Sequence, residues 1–294
     1  MNMNKFDELF SQYNCDLNDS QATSEVDRIL NKHLAENMRP DVYKQCLSLI
    51  DLTSLNSTDT EEQIINMVQK VNKFREAYPD MPNVGAICVY PSMVSIVKDN
   101  LTEHIGIASV AAGFPSSQTF IEIKVAETSM SVMEGATEID VVISIGKFLS
   151  GNYEDVWEEL TEIKAACRDA HLKVIIESGA LETASNIKKA SVLSMSAGAD
   201  FIKTSTGKMS VAATPFASYI MCQAIKEWHK QTGQKIGYKP AGGIVTTEDA
   251  VMHYTLVKEI LGEEWLNNKL FRLGASRLAN NLLTSILGKE TKCF

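Results

Sequence analysis

No stretch of this 294-residue chain approaches the ~18 consecutive apolar residues that a transmembrane helix needs. The opening residues, MNMNKFDELFSQYNCDLNDS, lack a positive start followed by an apolar run, so no secretory signal is expected. Six cysteines (Cys15, Cys46, Cys88, Cys167, Cys222 and Cys293) are scattered, with no C-x-x-C pair and no histidine at finger-like spacing. Neither a disulfide framework nor structural zinc is expected, and reduced thiols point to a cytoplasmic setting. A basic balance is missing too. Lysine and arginine number 28 against 37 aspartates and glutamates, a net charge of −9, which disfavours a nucleic-acid face. At 45% hydrophobic and 22% charged residues the composition is that of a globular chain. Neither nucleic acid nor a membrane is therefore expected as a partner.

Length alone allows two domains at ~150 residues each, but α/β barrels run to ~250 as one. Residues 1–44 differ from the rest: they are polar and acidic, with an amphipathic stretch from Val26 to Leu34. They read as an N-terminal helical extension packed outside the main domain, with a flexible tail as the alternative. From there on, 45–294 alternates short Val- and Ile-rich runs with longer helical patterns. The runs are CLSLIDLT from Cys46, VGAICVY from Val84, IGIASVA from Ile105, TEIDVVIS from Thr137, LKVIIES from Leu172, ADFIKTS from Ala199, KIGYKPAGG from Lys235 and LFRLGAS from Leu270. Near-continuous apolarity suits parallel strands buried on both faces. Helical patterns fill the gaps, the first opening with the capping signal TDTEE from Thr58. Successive runs start about 32 residues apart, the size of a βα unit. Eight such units without a second core predict an α/β fold, a (β/α)8 TIM barrel. A doubly wound sheet would carry a Gly-rich turn after its first strand, and none follows LIDLTSLN.

In such a barrel the chemistry sits at the C-terminal ends of the strands. Three polar groups there are out of place in ordinary buried strands: Asp140, Lys203 and Lys239. Alternation puts Glu138, Asp140 and Val142 on one face, Phe201, Lys203 and Ser205 on another, and Gly237 with Lys239 on a third. If these faces point inward, two lysines of adjacent strands meet near the mouth, with Asp140 across from them. Two ammonium groups ~6 Å apart repel by roughly 2.8 kcal/mol at an effective dielectric of ~20, or about two pKa units. That raises the neutral amine from about one in 2,500 molecules at pH 7 to about one in 25. A neutral buried amine attacks carbonyls to form a Schiff base, while a charged lysine and Asp140 shuttle protons. No metal and no cofactor is then required. The competing reading makes each lysine half of a buried ion pair.

Three glycine-bearing turns follow the late strands: Thr204 to Lys208 (TSTGK), Ala241 to Ile244 (AGGI) and Gly274 to Ser276 (GAS). Barrels often hold phosphate on the loops after strands seven and eight, with backbone amides as ligands. Ordinary turn glycines are the alternative. With Lys208 and Ser276 beside them, the turns favour a phosphorylated substrate.

The strings LIDLTSLN, AICVYPSMV, ASVAAGFP, GATEIDVVIS, KVIIESG, GADFIKTSTGK, GYKPAGGI and FRLGAS, in order from about Leu49 to about Leu282, resemble the deoxyribose-phosphate aldolases, a family of class I aldolases. The resemblance implies a TIM barrel that cleaves 2-deoxy-D-ribose 5-phosphate to D-glyceraldehyde 3-phosphate and acetaldehyde. It places the Schiff-base lysine at Lys203, the second lysine at Lys239 and the proton-relay aspartate at Asp140. Phosphate ligands fall on Gly207, Gly242, Gly243, Gly274 and Ser276, with Lys208 and the Thr204 turn nearby. Asp51 and Cys88 become substrate-side lining positions, although Cys88 reads equally well as a small buried hydrophobe. A homodimer or larger homo-oligomer is implied as well.

Three positions depart from the family pattern. Arg277 stands where many members carry a second small polar residue, Ala212 where many carry Asn, and Phe294 ends a chain that in some members ends in a tyrosine. The five histidines show no paired spacing for a metal. Trp157, Trp228 and Trp265 read as packing anchors, and Lys188 with Lys189 as a solvated helix face. The rivals to this aldolase are another Schiff-base aldolase of a phosphorylated sugar, and a phosphosugar-binding barrel without catalysis.

Overall fold

The structure is a computed structural model that describes residues 5–294; residues 1–4 of the N-terminal extension lie outside it. Eight strands run parallel: Ile50–Thr53 (β1), Ala86–Val89 (β2), Gly106–Ala111 (β3), Glu138–Val142 (β4), His171–Ile175 (β5), Phe201–Lys203 (β6), Gly237–Lys239 (β7) and Leu273–Ala275 (β8). They pair in the order β7-β6-β5-β4-β3-β2-β1-β8. Single bridges Tyr238↔Phe271 and Ala241↔Gly274 join the two ends, so the sheet forms a nearly closed (β/α)8 barrel.

Strand alternation makes two separate interiors. Outward side chains such as Ile87, Ile139, Val141, Leu172, Val174 and Ile202 join one continuous apolar core with the surrounding helices. Inside the barrel a small apolar cluster of Leu55, Cys88, Ala108 and Val110 stands apart from that core, and Val142, Ile175 and Phe201 share the inward faces with charged residues. Ionisable side chains fill the remainder.

The main helices between the strands are Glu61–Ala77 (α4), Val94–Asn100 (α5), Ile121–Glu134 (α6), Tyr153–Cys167 (α8), Ala184–Ser196 (α10), Pro215–Thr232 (α11), Thr247–Leu261 (α12) and Leu278–Leu287 (α13). The TDTEE signal forms a capping box: the Thr60 hydroxyl accepts from the Gln63 amide, and Gln63 Oε1 accepts from the Thr60 amide at 2.8 Å. Thr246 and Asp249 repeat the device at α12. Two short helices, Ile145–Leu149 (α7) and Ser178–Leu181 (α9), follow β4 and β5.

Three helices precede the barrel: Lys5–Gln12 (α1), Asp19–Asn37 (α2) and Pro40–Ser48 (α3). Phe10 of α1 meets Tyr153 edge-on at 5.0 Å, and Tyr13 stacks on Trp228 at 5.3 Å. In α2, Val26 and Ile29 are buried, and the helix lies against α11 and α12. Asp19 accepts from the Ala184 amide, capping the start of α10 from a distance.

Two sequence expectations are corrected. The run CLSLI is helical as far as Ser48 and the strand begins only at Ile50; residue 44 lies within α3. Lys188 is buried, not solvated: its ammonium bonds the Asn14 carbonyl at 3.3 Å and Glu227 at 2.8 Å. A lysine pair on a polar helix face looks solvated until the N-terminal segment is laid over it.

Candidate active site

The inward faces of β4, β6 and β7 bring Asp140, Lys203 and Lys239 together. Both lysine nitrogens bond one oxygen, Oδ2 of Asp140, Lys203 at 2.7 Å and Lys239 at 2.8 Å. Lys203 and Lys239 are register partners on adjacent strands, which is why their side chains converge. Lys203 is 3% exposed and the other two are fully buried.

Beneath them lies a second tier that the sequence reading left without a role. Lys173, the register partner of Asp140 on β5, bonds Oδ1 of Asp140 at 3.1 Å and also binds Glu138. Arg272, just ahead of β8, forks between Asp51 at 2.6 Å and Glu138 at 2.7 Å. Asp51 in turn binds Lys239. Three carboxylates thus face four cations in ion-pairing contact, and the cations are not equivalent. Lys239 and Arg272 each touch two carboxylates and Lys173 touches three. Lys203 touches only Asp140.

That inequality decides which amine loses its proton most readily. Burial pushes Lys203 below the ordinary lysine range; Asp140 pulls it back up, and Lys239 pushes it down again. The net direction is down. The Lys203 shift therefore owes more to loss of water than to the like charge that the spacing alone suggested. Burial acts on Lys239 in the same sense, but Asp140 and Asp51 together outweigh it and hold Lys239 above its usual value. Lys173 is likewise held high against its burial, by Asp140 and Glu138. Burial would raise Asp140, yet the three lysines hold it well below the carboxylate range.

Lys203 opens into a cavity of about 320 Å³. Gly207, Lys208, Gly242, Gly243, Gly274 and Ser276, all from the three glycine-bearing turns, line the same cavity. Gly242 has φ +84°, and a Cβ there would lie 2.7 Å from the Ala212 Cβ and 3.0 Å from the Gly207 Cα. Two loops touch backbone to backbone at this point, which only glycine permits. The next helix, α13, starts without a side-chain cap, leaving its first amides free beside Ser276. A reactive amine at the floor, cations beside it and amide-rich loops at one wall suit a small carbonyl compound carrying an anionic group.

A family model of DeoC/LacD family aldolases matches residues 46–260. The chain belongs to the DeoC/LacD aldolase family. The deoxyribose-phosphate aldolase of Homo sapiens is 42% identical over 249 residues, 81% of this chain and 78% of that protein. The Mus musculus deoxyribose-phosphate aldolase is 41% identical over 254 residues, covering 81% and 78%. Among solved structures, the tetrameric deoxyribose phosphate aldolase of Aeropyrum pernix is 25% identical, with a TM-score of 0.65 over 90% or so of each chain (87% of this one, 96% of that one).

Within this DeoC/LacD barrel, three positions expected to line the substrate lie behind the cavity instead. Asp51 is fully buried and engaged by Lys239 and Arg272. Thr204 uses its hydroxyl to tie β6 to the next loop, donating to the Ala241 carbonyl and accepting from its amide at 3.0 Å. Cys88 is fully buried, and its thiol is raised by that burial, which suits the small-hydrophobe reading.

The departures also find places. Arg277 lines the cavity rim. Phe294 stacks on Phe74 at 5.0 Å and its amide bonds Asn280, so the chain end is tied to α4 and α13 rather than to the cavity. Sequence reasoning missed Lys173, Arg272 and Glu177. Glu177, just past β5, is buried in the left-handed region (φ +53°) and accepts from the Thr206 hydroxyl at 2.6 Å and the Thr206 amide at 3.2 Å, anchoring the turn that carries Gly207 and Lys208.

Proposed function

We propose that this aldolase cleaves 2-deoxy-D-ribose 5-phosphate reversibly to D-glyceraldehyde 3-phosphate and acetaldehyde, with Lys203 as the nucleophile. The observation that carries the reading is the shared oxygen: Lys203 and Lys239 meet on Oδ2 of Asp140, and Lys203 reaches from there into a cavity walled by glycine turns. The neutral Lys203 amine adds to the C1 aldehyde of the open-chain sugar, giving a carbinolamine. Proton transfer through Asp140 and Lys239 lets water leave and the iminium form. The C3 hydroxyl then gives up its proton, the C2–C3 bond breaks, and its electron pair flows into the iminium as an enamine. Glyceraldehyde 3-phosphate departs; protonation at C2 and hydrolysis return acetaldehyde and the free amine. Amides around Gly207, Gly242, Gly243 and Gly274, with Ser276 and Lys208, hold the phosphate.

Borohydride reduction in the presence of acetaldehyde tests this reading. A stable adduct on Lys203 is the expected result; an adduct on Lys239 with Lys203 unmodified would reverse the roles. Poor turnover of deoxyribose 5-phosphate beside good turnover of another sugar phosphate would favour the rival Schiff-base aldolase.

We infer further that the protein is a cytoplasmic homo-oligomer. The free cysteines, five of six buried, suit a reducing compartment. Among the described residues no helix is long and apolar enough to cross a membrane. On α6, Ile123, Ala126, Met130 and Met133 recur at three-four-three spacing and all face out, Met130 64% and Met133 70% exposed. Such a seam suits docking of a second copy. Met130→Glu is expected to yield smaller particles in sedimentation; an unchanged distribution would remove α6 from the interface.

A further inference from the structure

The second tier of the cluster has its own consequence for Lys203. Among the described residues Asp140 is the only carboxylate in ion-pairing contact with that amine, and it divides its two oxygens: Oδ2 serves Lys203 and Lys239, while Oδ1 is taken by Lys173. Lys173 lies level with Asp140 in register and two residues below Lys203, wholly buried, and is anchored from its other side by Glu138, which Arg272 holds in place at 2.7 Å. The ring of Phe201 lies 5.9 Å from its nitrogen. Lys173 is fully buried and does not line the cavity; Lys239 does not line it either, but Lys239 shares the Asp140 oxygen that holds Lys203, and Lys173 does not. Its only possible influence on the reaction is through Asp140.

We propose that Lys173 is a positioning residue that sets the protonation of Lys203: by occupying Oδ1 of Asp140 it weakens that carboxylate's hold on the Lys203 ammonium, and so makes Lys203, among three buried amines, the neutral one. The proposal rests on the reading of Lys203 as nucleophile. The ionisable groups facing the site are Asp51 from β1, Cys88 from β2, Glu138 and Asp140 from β4, Lys173 and Glu177 from β5 and its end, Lys203 from β6, Lys208 from the turn after it, Lys239 from β7, Arg272 ahead of β8 and Arg277 after it. The six residues of β3, GIASVA, contribute none. Of these, Lys173 alone is a cation that contacts Asp140 without opening to the cavity or contacting Lys203's oxygen.

The sign follows directly. Without the Lys173 charge, Asp140 attracts the Lys203 proton more strongly, and Lys203 must be brought to higher pH before its amine is free. Without the Glu138 charge, Lys173 leans more on Asp140, with Asp51 its one other carboxylate at 3.8 Å, and Lys203 is freed at lower pH. Losing both charges together restores the balance.

The test is the acid limb of the kcat/KM–pH profile of the full-length enzyme with deoxyribose 5-phosphate, alongside the pH dependence of borohydride trapping with acetaldehyde. For Lys173→Met the limb is expected to move up by about one pH unit, which is about a tenfold loss at the foot of the limb that recovers at alkaline pH. For Glu138→Gln it moves down, and the double variant Lys173→Met/Glu138→Gln returns toward the parent. A uniform loss at every pH with an unmoved limb overturns the proposal, since a purely structural role would give that result. Should Lys173→Met fail to fold, Glu138→Gln decides alone: a limb that stays put overturns it. Peptide mapping keeps the two readings apart. An adduct away from Lys203 sinks the catalytic assignment itself, whereas an adduct on Lys203 with unmoved limbs sinks only the role of Lys173.

Discussion

Gly274 backs directly onto the side chain of Lys239: a Cβ at Gly274 would lie 3.2 Å from Lys239 Cε and 2.6 Å from the Ala241 Cβ. The same glycine lines the cavity, so one small residue both keeps the backbone open to the cavity and leaves room for the second lysine. Gly274→Ala must push Lys239 or the AGGI turn aside. Overpacking of this kind typically costs about 1–3 kcal/mol. The melting temperature is expected to fall, with kcat/KM for deoxyribose 5-phosphate dropping at least tenfold or so, because Lys239 would leave its place on Asp140. Wild-type kinetics in a folded variant would show that the close approach is irrelevant to the site.

Asp140→Asn removes the charge that three lysines share while keeping the side chain's shape. General acid–base groups contribute roughly 10²–10⁴-fold, and a loss of that size in kcat is expected. Stability should fall as well, since breaking a buried pair costs about 3–5 kcal/mol when unpaired charge is left behind. Denaturant unfolding and steady-state kinetics check the two effects separately. An active variant would remove Asp140 from the proton path.

How far the sequence could be read depended on whether one strand sufficed. Asp140, Lys203 and Lys239 stand out because each is polar near the C-terminal end of a buried run, and alternation alone puts them inside. Lys173 and Arg272 obey the same alternation. They sit near the N-terminal ends of their runs, LKVIIES and LFRLGAS, where a basic residue reads as a solvent-facing flank. Only the register Asp140↔Lys173 reveals what Lys173 faces. The glycine turns were legible as close backbone approaches, and Gly242 against Gly207 is one that needs glycine. Thr204 was not, because nothing in TSTGK says which hydroxyl ties strands and which meets solvent. The CLSLI run failed for another reason: a short apolar run fits a buried helix as well as a strand, and Pro40 at the start of α3 favoured the helix.

Arg277 tests the phosphate wall. It lines the cavity on the loop after β8, and the proposed chemistry at Lys203 gives it no part. Arg277→Ala is expected to raise KM for deoxyribose 5-phosphate by about three- to tenfold, the scale of a charge-assisted contact partly open to solvent, with kcat little changed. The comparison with unphosphorylated deoxyribose is decisive. Equal loss on both substrates would mean that Arg277 supports the loop rather than the phosphate.

His253 makes a pH prediction of a different kind. It lies on α12, is 3% exposed, and its Nδ1 faces the Ser218 hydroxyl at 2.7 Å, to which the Tyr238 hydroxyl donates at 2.6 Å. Burial lowers His253 from 6.5 to about 4, against a small opposing pull from Asp249. The folded protein therefore keeps this imidazole neutral where the unfolded chain would protonate it. Between pH 6.5 and about 4 the unfolded state binds more protons, so stability falls as pH falls through that window and levels off below it. The loss amounts to roughly 3 kcal/mol if the whole difference is expressed. The carboxylates of the barrel interior act later: Asp51 and Asp140, held low by their cations, withdraw stability only as pH falls beneath their unfolded values near ~3.9. Melting curves across pH 4 to 7 should thus show a slope in the wild type that His253→Gln flattens, although that variant starts from a lower plateau. A variant whose stability still declines with the parent's slope over that interval would place the titrating group elsewhere.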